Sequence, residues 1–163
     1  MKVKLADIEV AYSVQGEGTP VVLIHGLAEG KESWSGIQER LSEFKTFSYD
    51  LRGHGESTLG KGEGTLEQLG GDLIAFLEKV SGPAQCVGYS LGGTIVIWAA
   101  AKRPNLFSAA VITGTSTVVG QQAVEFFEER IKIIEEDFSD FAPALRKDTA
   151  LQIVNSGVDL EAV

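Results

Sequence analysis

The sequence predicts an α/β protein: a mostly parallel, doubly wound sheet of about six strands with helices on both faces, followed by an acidic, helical, cap-like tail. Three observations carry this expectation. Short apolar runs alternate with segments of helical period from Val21 to Ile112, the pattern of parallel strands joined by crossover helices. The run Val21, Val22, Leu23, Ile24 is continuously apolar, as suits a strand covered on both faces. Nineteen glycines against four prolines supply tight turns between such runs.

Each element has its own signal. Val3 to Leu5 and Ile8 to Val14 alternate with period two around Asp7 and predict a hairpin. Trp34, Ile37, Leu41 and Phe44 recur at three and four and predict an amphipathic helix over Trp34 to Phe44, ahead of a short strand from Thr46 to Tyr49. Thr65 with Gln68 three places on is a capping box. The helix it opens runs through Leu66, Leu69, Leu73, Phe76 and Val80 and stops near Ser81, Gly82 and Pro83. Ala84 to Gly88 reads as a strand, Leu91 to Ala101 as a buried helix ended before Pro104, and Ala109 to Ile112 as a last strand. Ala123, Phe127, Ile131, Ile134 and Phe138 then form one stripe of a helix whose back carries Glu125, Glu128, Glu129, Glu135 and Glu136. The expected division is a core over 1–117 and an acidic helical cap or lid over 118–163.

Charge narrows the partners. The net charge is -9, and residues 118–163 hold 10 acids against 4 bases, whereas residues 1–117 hold 13 against 10. With no basic stripe, neither nucleic acid nor an anionic membrane surface is an expected partner. Cys86, the single cysteine, lies in an apolar run and reads as a buried hydrophobe in a reducing compartment. Met1 to Val10 has no long apolar stretch, so the expected address is the cytoplasm. No cofactor and no metal are expected.

Gly88, Tyr89, Ser90, Leu91 and Gly92 spell G-x-S-x-G between a predicted strand and a predicted helix, the setting of a nucleophile elbow. The turn strains the serine backbone, so small residues are needed two places either side, and Gly88, Gly92 and Gly93 provide them. His25, Gly26 and Leu27 follow one strand run; Asp50, Leu51, Arg52, Gly53, His54 and Gly55 follow another. This order and spacing resembles the amino-terminal half of the α/β-hydrolase family over about Met1 to Ser116, which implies an incomplete α/β-hydrolase fold. The resemblance implies Ser90 as catalytic nucleophile and the backbone N–H groups of Leu27 and Leu91 as oxyanion hole, with His25, Gly26, Gly88, Tyr89 and Gly92 shaping the site. Serine rather than aspartate at position 90 then favours acyl chemistry on a small-molecule ester, lactone, thioester or amide.

The family's triad order is Ser, then Asp or Glu, then His, yet no histidine follows Ser90. His25 and His54 occupy other motif positions, and Asp137, Asp140, Asp148 and Asp159 read as a solvated acidic face. The base and acid are therefore expected from sequence or a chain not present here. A strand over Ala109 to Ile112 would be an exposed edge, where a complementing carboxyl-terminal chain or self-association is expected. The alternative is a non-catalytic fragment or binding module of the same fold. A nucleotide site at Gly55, Gly60 and Lys61 is set aside because Gly62 stands where a phosphate loop needs Ser or Thr. Phe126, Phe127 and Trp98 are candidates for lining an acyl pocket, although core packing is the plainer role for each.

Overall fold

The alternating start of the chain closes a hairpin, β1 (Lys2–Leu5) against β2 (Ile8–Gln15), with Leu5 opposite Ile8 and Ala6 at φ 42 in the turn. The computed structural model describes residues 1–141, 143–145 and 147. They fall in two compact units, Met1–Thr117 and Val118–Val163. In the first, the continuous apolar runs become β3 (Thr19–Ile24), β4 (Phe44–Tyr49), β5 (Ala84–Tyr89) and β6 (Phe107–Thr113). The sheet has the order β1-β2-β4-β3-β5-β6; β2 meets β4 antiparallel, and every pairing from β4 to β6 is parallel. The loops after β3 and β5 therefore lie side by side at the carboxyl edge of the sheet, where ligands bind in open parallel sheets.

The two faces of the sheet differ in chemistry. Val22, Ile24, Phe47, Tyr49 and Cys86 point into the main apolar core with Leu69, Leu73, Phe76, Ile95, Val96 and Ala99 from α2 (Leu66–Phe76) and α3 (Leu91–Lys102). Within it the Tyr49 and Phe76 rings stack at 4.8 Å, and burial pushes the Cys86 thiol up to about 12. The capping box forms as expected: Thr65 Oγ1 accepts from Gln68 N, and Thr65 N donates to Gln68 Oε1. Beyond Phe76 the helix continues as one wider turn, Leu77–Ser81.

On the opposite face the sheet presents Ser13, Thr46 and Ser48, and here the expected helix is corrected. Lys31–Trp34 is a 3-10 turn, α1 spans only Ser35–Arg40, and Phe44 already belongs to β4. Nor does Ile37 face inward; it is 42% exposed, while Gln38 is buried at 3%. The reason is polar pairing: Gln38 Nε2 donates to Thr46 Oγ1 at 3.1 Å, and its Oε1 accepts from Ser13 Oγ at 3.1 Å. A buried amide that satisfies two hydroxyls displaces the apolar residue that periodicity alone would choose.

The other bounds agree with expectation to within two residues. Ser108 to Thr113 of β6 are exposed, with Val111 and Ile112 at 57% and 37%, and β6 forms one edge of the sheet. In the second unit, α4 (Gln121–Glu136) contains no buried residue, and Phe138 falls in a separate 3-10 turn, Phe138–Asp140. Among the described residues no helix is long and apolar enough to cross a membrane.

Arg52, only 4% exposed in its side chain, ties the hairpin to α2. Its guanidinium donates to both carboxylate oxygens of Asp72 at 2.9 Å and to Asp7 at 2.9 and 3.1 Å. These bonds to Arg52 hold the Asp7 carboxyl well below the usual carboxylate range. Arg52→Met is expected to cost about 3 to 5 kcal/mol by urea unfolding because Asp72 is left buried without its cation. A second change, Asp72→Leu, should return part of that loss. Neighbouring glycines of α2 are expected to respond with opposite sign. A methyl at Gly71 meets nothing within 4 Å, so Gly71→Ala should stabilise by about 0.5 to 1 kcal/mol. At Gly70 it runs into the Trp98 ring, so Gly70→Ala should destabilise by about 1 to 3 kcal/mol in the same assay.

Candidate active site

Ser90 sits where β5 turns into α3, with φ 51 and ψ -118, outside the regions an L-residue adopts freely. Such a conformation costs on the order of 1 to 3 kcal/mol and persists only where surroundings enforce it. Here they do. Ser90 N–H donates to Thr113 O at 3.0 Å, and Ser90 O accepts from Thr115 Oγ1 at 2.8 Å and from Gly93 N at 3.0 Å. The glycines clear the space: a Cβ on Gly88 would lie 2.6 Å from Gly92 and Gly93 backbone atoms, and one on Gly92 would enter the Ile24 carbonyl. Gly93 is packed against Thr115 and Ile112. Ser90 is half-buried, and its Oγ has no hydrogen-bond partner among the described residues.

The loop after β3 lies against it. A Cβ on Gly26 would be 3.3 Å from Ser90 Cβ and 3.2 Å from the Tyr89 ring. Neither the Leu27 nor the Leu91 N–H has an acceptor among the described residues, and Leu91 opens α3, whose amino end favours negative charge. His25 is fully buried. Its Nε2 accepts from Leu51 N at 3.0 Å, so the ring carries its proton on Nδ1 and donates it to Gly26 O at 2.7 Å. Burial lowers its pKa, which keeps the ring neutral at neutral pH. His54 lies 5.2 Å away between ring centroids; it accepts from Ala28 N on Nε2 and donates from Nδ1 to Arg52 O. Both imidazoles are thus committed on both nitrogens, and neither bonds to Ser90.

A strand–turn–helix serine with an adjoining His-Gly loop matches a wider pattern. The sequence profile of the alpha/beta hydrolase fold matches residues 19–155. This chain belongs to the α/β-hydrolase fold family. Ethanol acetyltransferase 1 of Hanseniaspora uvarum is 35% identical to it over 67% of this chain and 34% of that protein. The pimeloyl-(acyl-carrier protein) methyl ester esterase of Methylococcus capsulatus is 34% identical over 84% of this chain and 54% of that protein. The solved enol-lactonase from Burkholderia xenovorans superposes with a TM-score of 0.80 at 25% identity, over 92% of this chain and 58% of that one. The chain thus spans from a third to little more than half of these relatives and corresponds to the amino-terminal part of the α/β-hydrolase fold.

Sequence reasoning missed the ionic cluster behind the His-Gly loop of this family member. Asp50, fully buried, accepts from Lys31 N at 2.7 Å, from Glu56 N at 2.9 Å and from Lys31 Nζ at 3.1 Å. Burial opposes its ionisation, yet those donors outweigh it and hold the carboxyl below its usual value. The signal was there: a carboxylate placed directly after an apolar strand must find donors.

An open depression of about 310 Å³ beside the serine is lined by Glu29, Ser33, Trp34, Ile37, Tyr89 and Thr113. Trp98, one of the three aromatics singled out for a pocket, is not among its walls. Trp98 packs on Gly70 and beneath Lys102, while Phe126 stacks under the Arg130 guanidinium and edges Phe127. Gly55 and Gly60 serve tight turns, and Lys61 N donates to Asp7. Asp137 accepts from Ser139 N and Asp140 lies in the following turn, whereas Asp148 and Asp159 fall outside the described residues. Among the described residues no cluster of three or more His, Cys, Asp or Glu could hold a metal.

Gly92→Ala should push α3 off β3 and lower stability by about 3 kcal/mol, at the upper end of overpacking, whereas Gly36→Ala, with nothing within 4 Å, should not destabilise. Thermal melts of the two variants check this.

Proposed function

We propose that this chain carries the nucleophile and the oxyanion hole of an acyl hydrolase acting on a small-molecule ester, lactone or thioester. The observation that supports this best is the strained Ser90, set beside the amides of Leu27 and Leu91, with its hydroxyl and both amides unengaged among the described residues. The relatives named above are an esterase, an enol-lactonase and an acetyltransferase, in keeping with acyl chemistry.

In this reading Ser90 Oγ attacks the carbonyl carbon while a base accepts its proton, and the carbonyl electron pair moves onto oxygen. The Leu27 and Leu91 N–H groups stabilise that oxyanion, each donor contributing about 3 kcal/mol. Collapse breaks the acyl bond as the protonated base gives its proton to the departing oxygen or sulfur, leaving an acyl-serine. Water then attacks this with its proton passing to the base and from there to Ser90 Oγ as the acid is released. Neither His25 nor His54 is free to act as base, so base and acid come from sequence or a chain not present here. The exposed β6 edge is the surface on which a complementing carboxyl-terminal chain, or a second copy, would continue the sheet. A reducing, cytoplasmic setting suits the lone buried Cys86.

The second reading is a non-catalytic binding module, favoured by the commitment of both imidazoles. A fluorophosphonate, with the adduct mapped by peptide mass spectrometry, separates the two. With a complementing carboxyl-terminal half supplied in trans, Ser90 should be labelled and Ser90→Ala should not. Absence of a Ser90 adduct in that mixture would refute the hydrolase. Without the added half, loss of the base should slow labelling by several orders of magnitude.

A further inference from the structure

Three consecutive amides follow β3, and their hydrogen bonding is unequal. Gly26 N–H donates to Glu29 Oε2 at 3.2 Å, and Ala28 N–H donates to His54 Nε2 at 3.3 Å. Between them, the Leu27 N–H has no acceptor among the described residues. Ala28 stands at φ 61, a left-handed conformation that an alanine keeps only when it is held. His54 is equipped to hold it: its Nδ1–H donates to Arg52 O at 3.0 Å, which leaves Nε2 an acceptor, and the Arg52 side chain is itself fixed between Asp7 and Asp72.

The pins matter because of Gly26. A Cβ there would press on Tyr89 and Ser90 at 3.2 to 3.3 Å, and the glycine that stands just before Leu27 instead has the backbone that turns most easily. The direction of the Leu27 N–H follows the rotation of the Gly26–Leu27 peptide plane. A donor turned far from its acceptor loses most of its hydrogen bond. His25 already holds the Gly26 carbonyl at 2.7 Å. We propose that Glu29 and His54 are positioning residues for the oxyanion: by engaging the amides on either side, they leave the Leu27 N–H as the one of these three amides without an acceptor among the described residues and aim it at the carbonyl oxygen above Ser90. The inference rests on the reading of Ser90 as nucleophile. Neither side chain touches the reacting atoms, and what each supplies is an acceptor rather than a charge or a proton.

Glutamine can therefore replace either residue, whereas His54→Phe and Glu29→Ala cannot serve. Two measurements test this. In the isotopically labelled chain, His54→Phe should shift the Leu27 and Ala28 amide resonances and speed exchange of the Ala28 amide, while His54→Gln should keep both close to the unsubstituted chain. In the complemented mixture described above, phosphonylation of Ser90 should slow about tenfold or more in His54→Phe and Glu29→Ala, short of the roughly 100-fold or greater loss typical of deleting an oxyanion donor. The glutamine variants should label at close to the original rate. Unmoved Leu27 and Ala28 resonances in His54→Phe, an unchanged labelling rate, or a glutamine variant as slow as the truncations would each overturn the proposal. If Ser90 in the unsubstituted chain takes no label, the nucleophile reading falls and takes this role with it; the amide resonances still tell whether the loop is pinned, so the two failures are distinguishable.

Discussion

One backbone torsion organises this chain: Ser90 must stand at positive φ between a parallel strand and the helix that follows it. For an L-residue that conformation is uphill, so everything around it has to be built to hold it. Gly88 and Gly92 let β5 and the start of α3 pass within contact distance, and Gly92 brings the helix against the carbonyl of Ile24 at the end of β3. Thr113 and Thr115, at the end of β6, take up the backbone groups of the serine itself. Three neighbouring strands and a helix are thereby set in register by a single residue, and its hydroxyl is left without a hydrogen-bond partner among the described residues.

Polar groups buried behind the site do the complementary job of making its loops rigid. Asp50 gathers the amides of Lys31 and Glu56 and the Lys31 ammonium, while Arg52 locks the hairpin to α2 through Asp7 and Asp72. Buried charges of this kind are tolerated because each is paired and hydrogen-bonded. Two imidazoles finish the work at closer range, with His25 and His54 each accepting an amide from one loop and donating to a carbonyl. The loops at the carboxyl edge of the sheet are thereby tied to one another by hydrogen bonds.

The edge of the sheet has a different consequence. A six-stranded arrangement that ends in β6, with Val111 and Ile112 exposed, places apolar strand surface at an unpaired edge. Paired backbone and covered side chains are the ordinary condition of a parallel strand.

Periodicity, glycine placement and the G-x-S-x-G spacing were enough to draw the six strands, the helices over Leu66–Phe76, Leu91–Lys102 and Gln121–Glu136, the capping box and the position of the elbow, because each of these depends on local sterics or on a repeat a few residues long. Gln38 was out of reach: its burial depends on Ser13 and Thr46, which the fold brings from other strands, so a helical wheel chose Ile37 instead. The same holds for Trp98, which the packing of α2 on α3 places against Gly70 and away from the site, and for the amide pins supplied by Glu29 and His54. The chain's own order determined which residue is strained, since that is written in its glycines; only the tertiary structure decided which amides stay free beside it, because hydrogen bonds between distant loops leave no trace in local spacing.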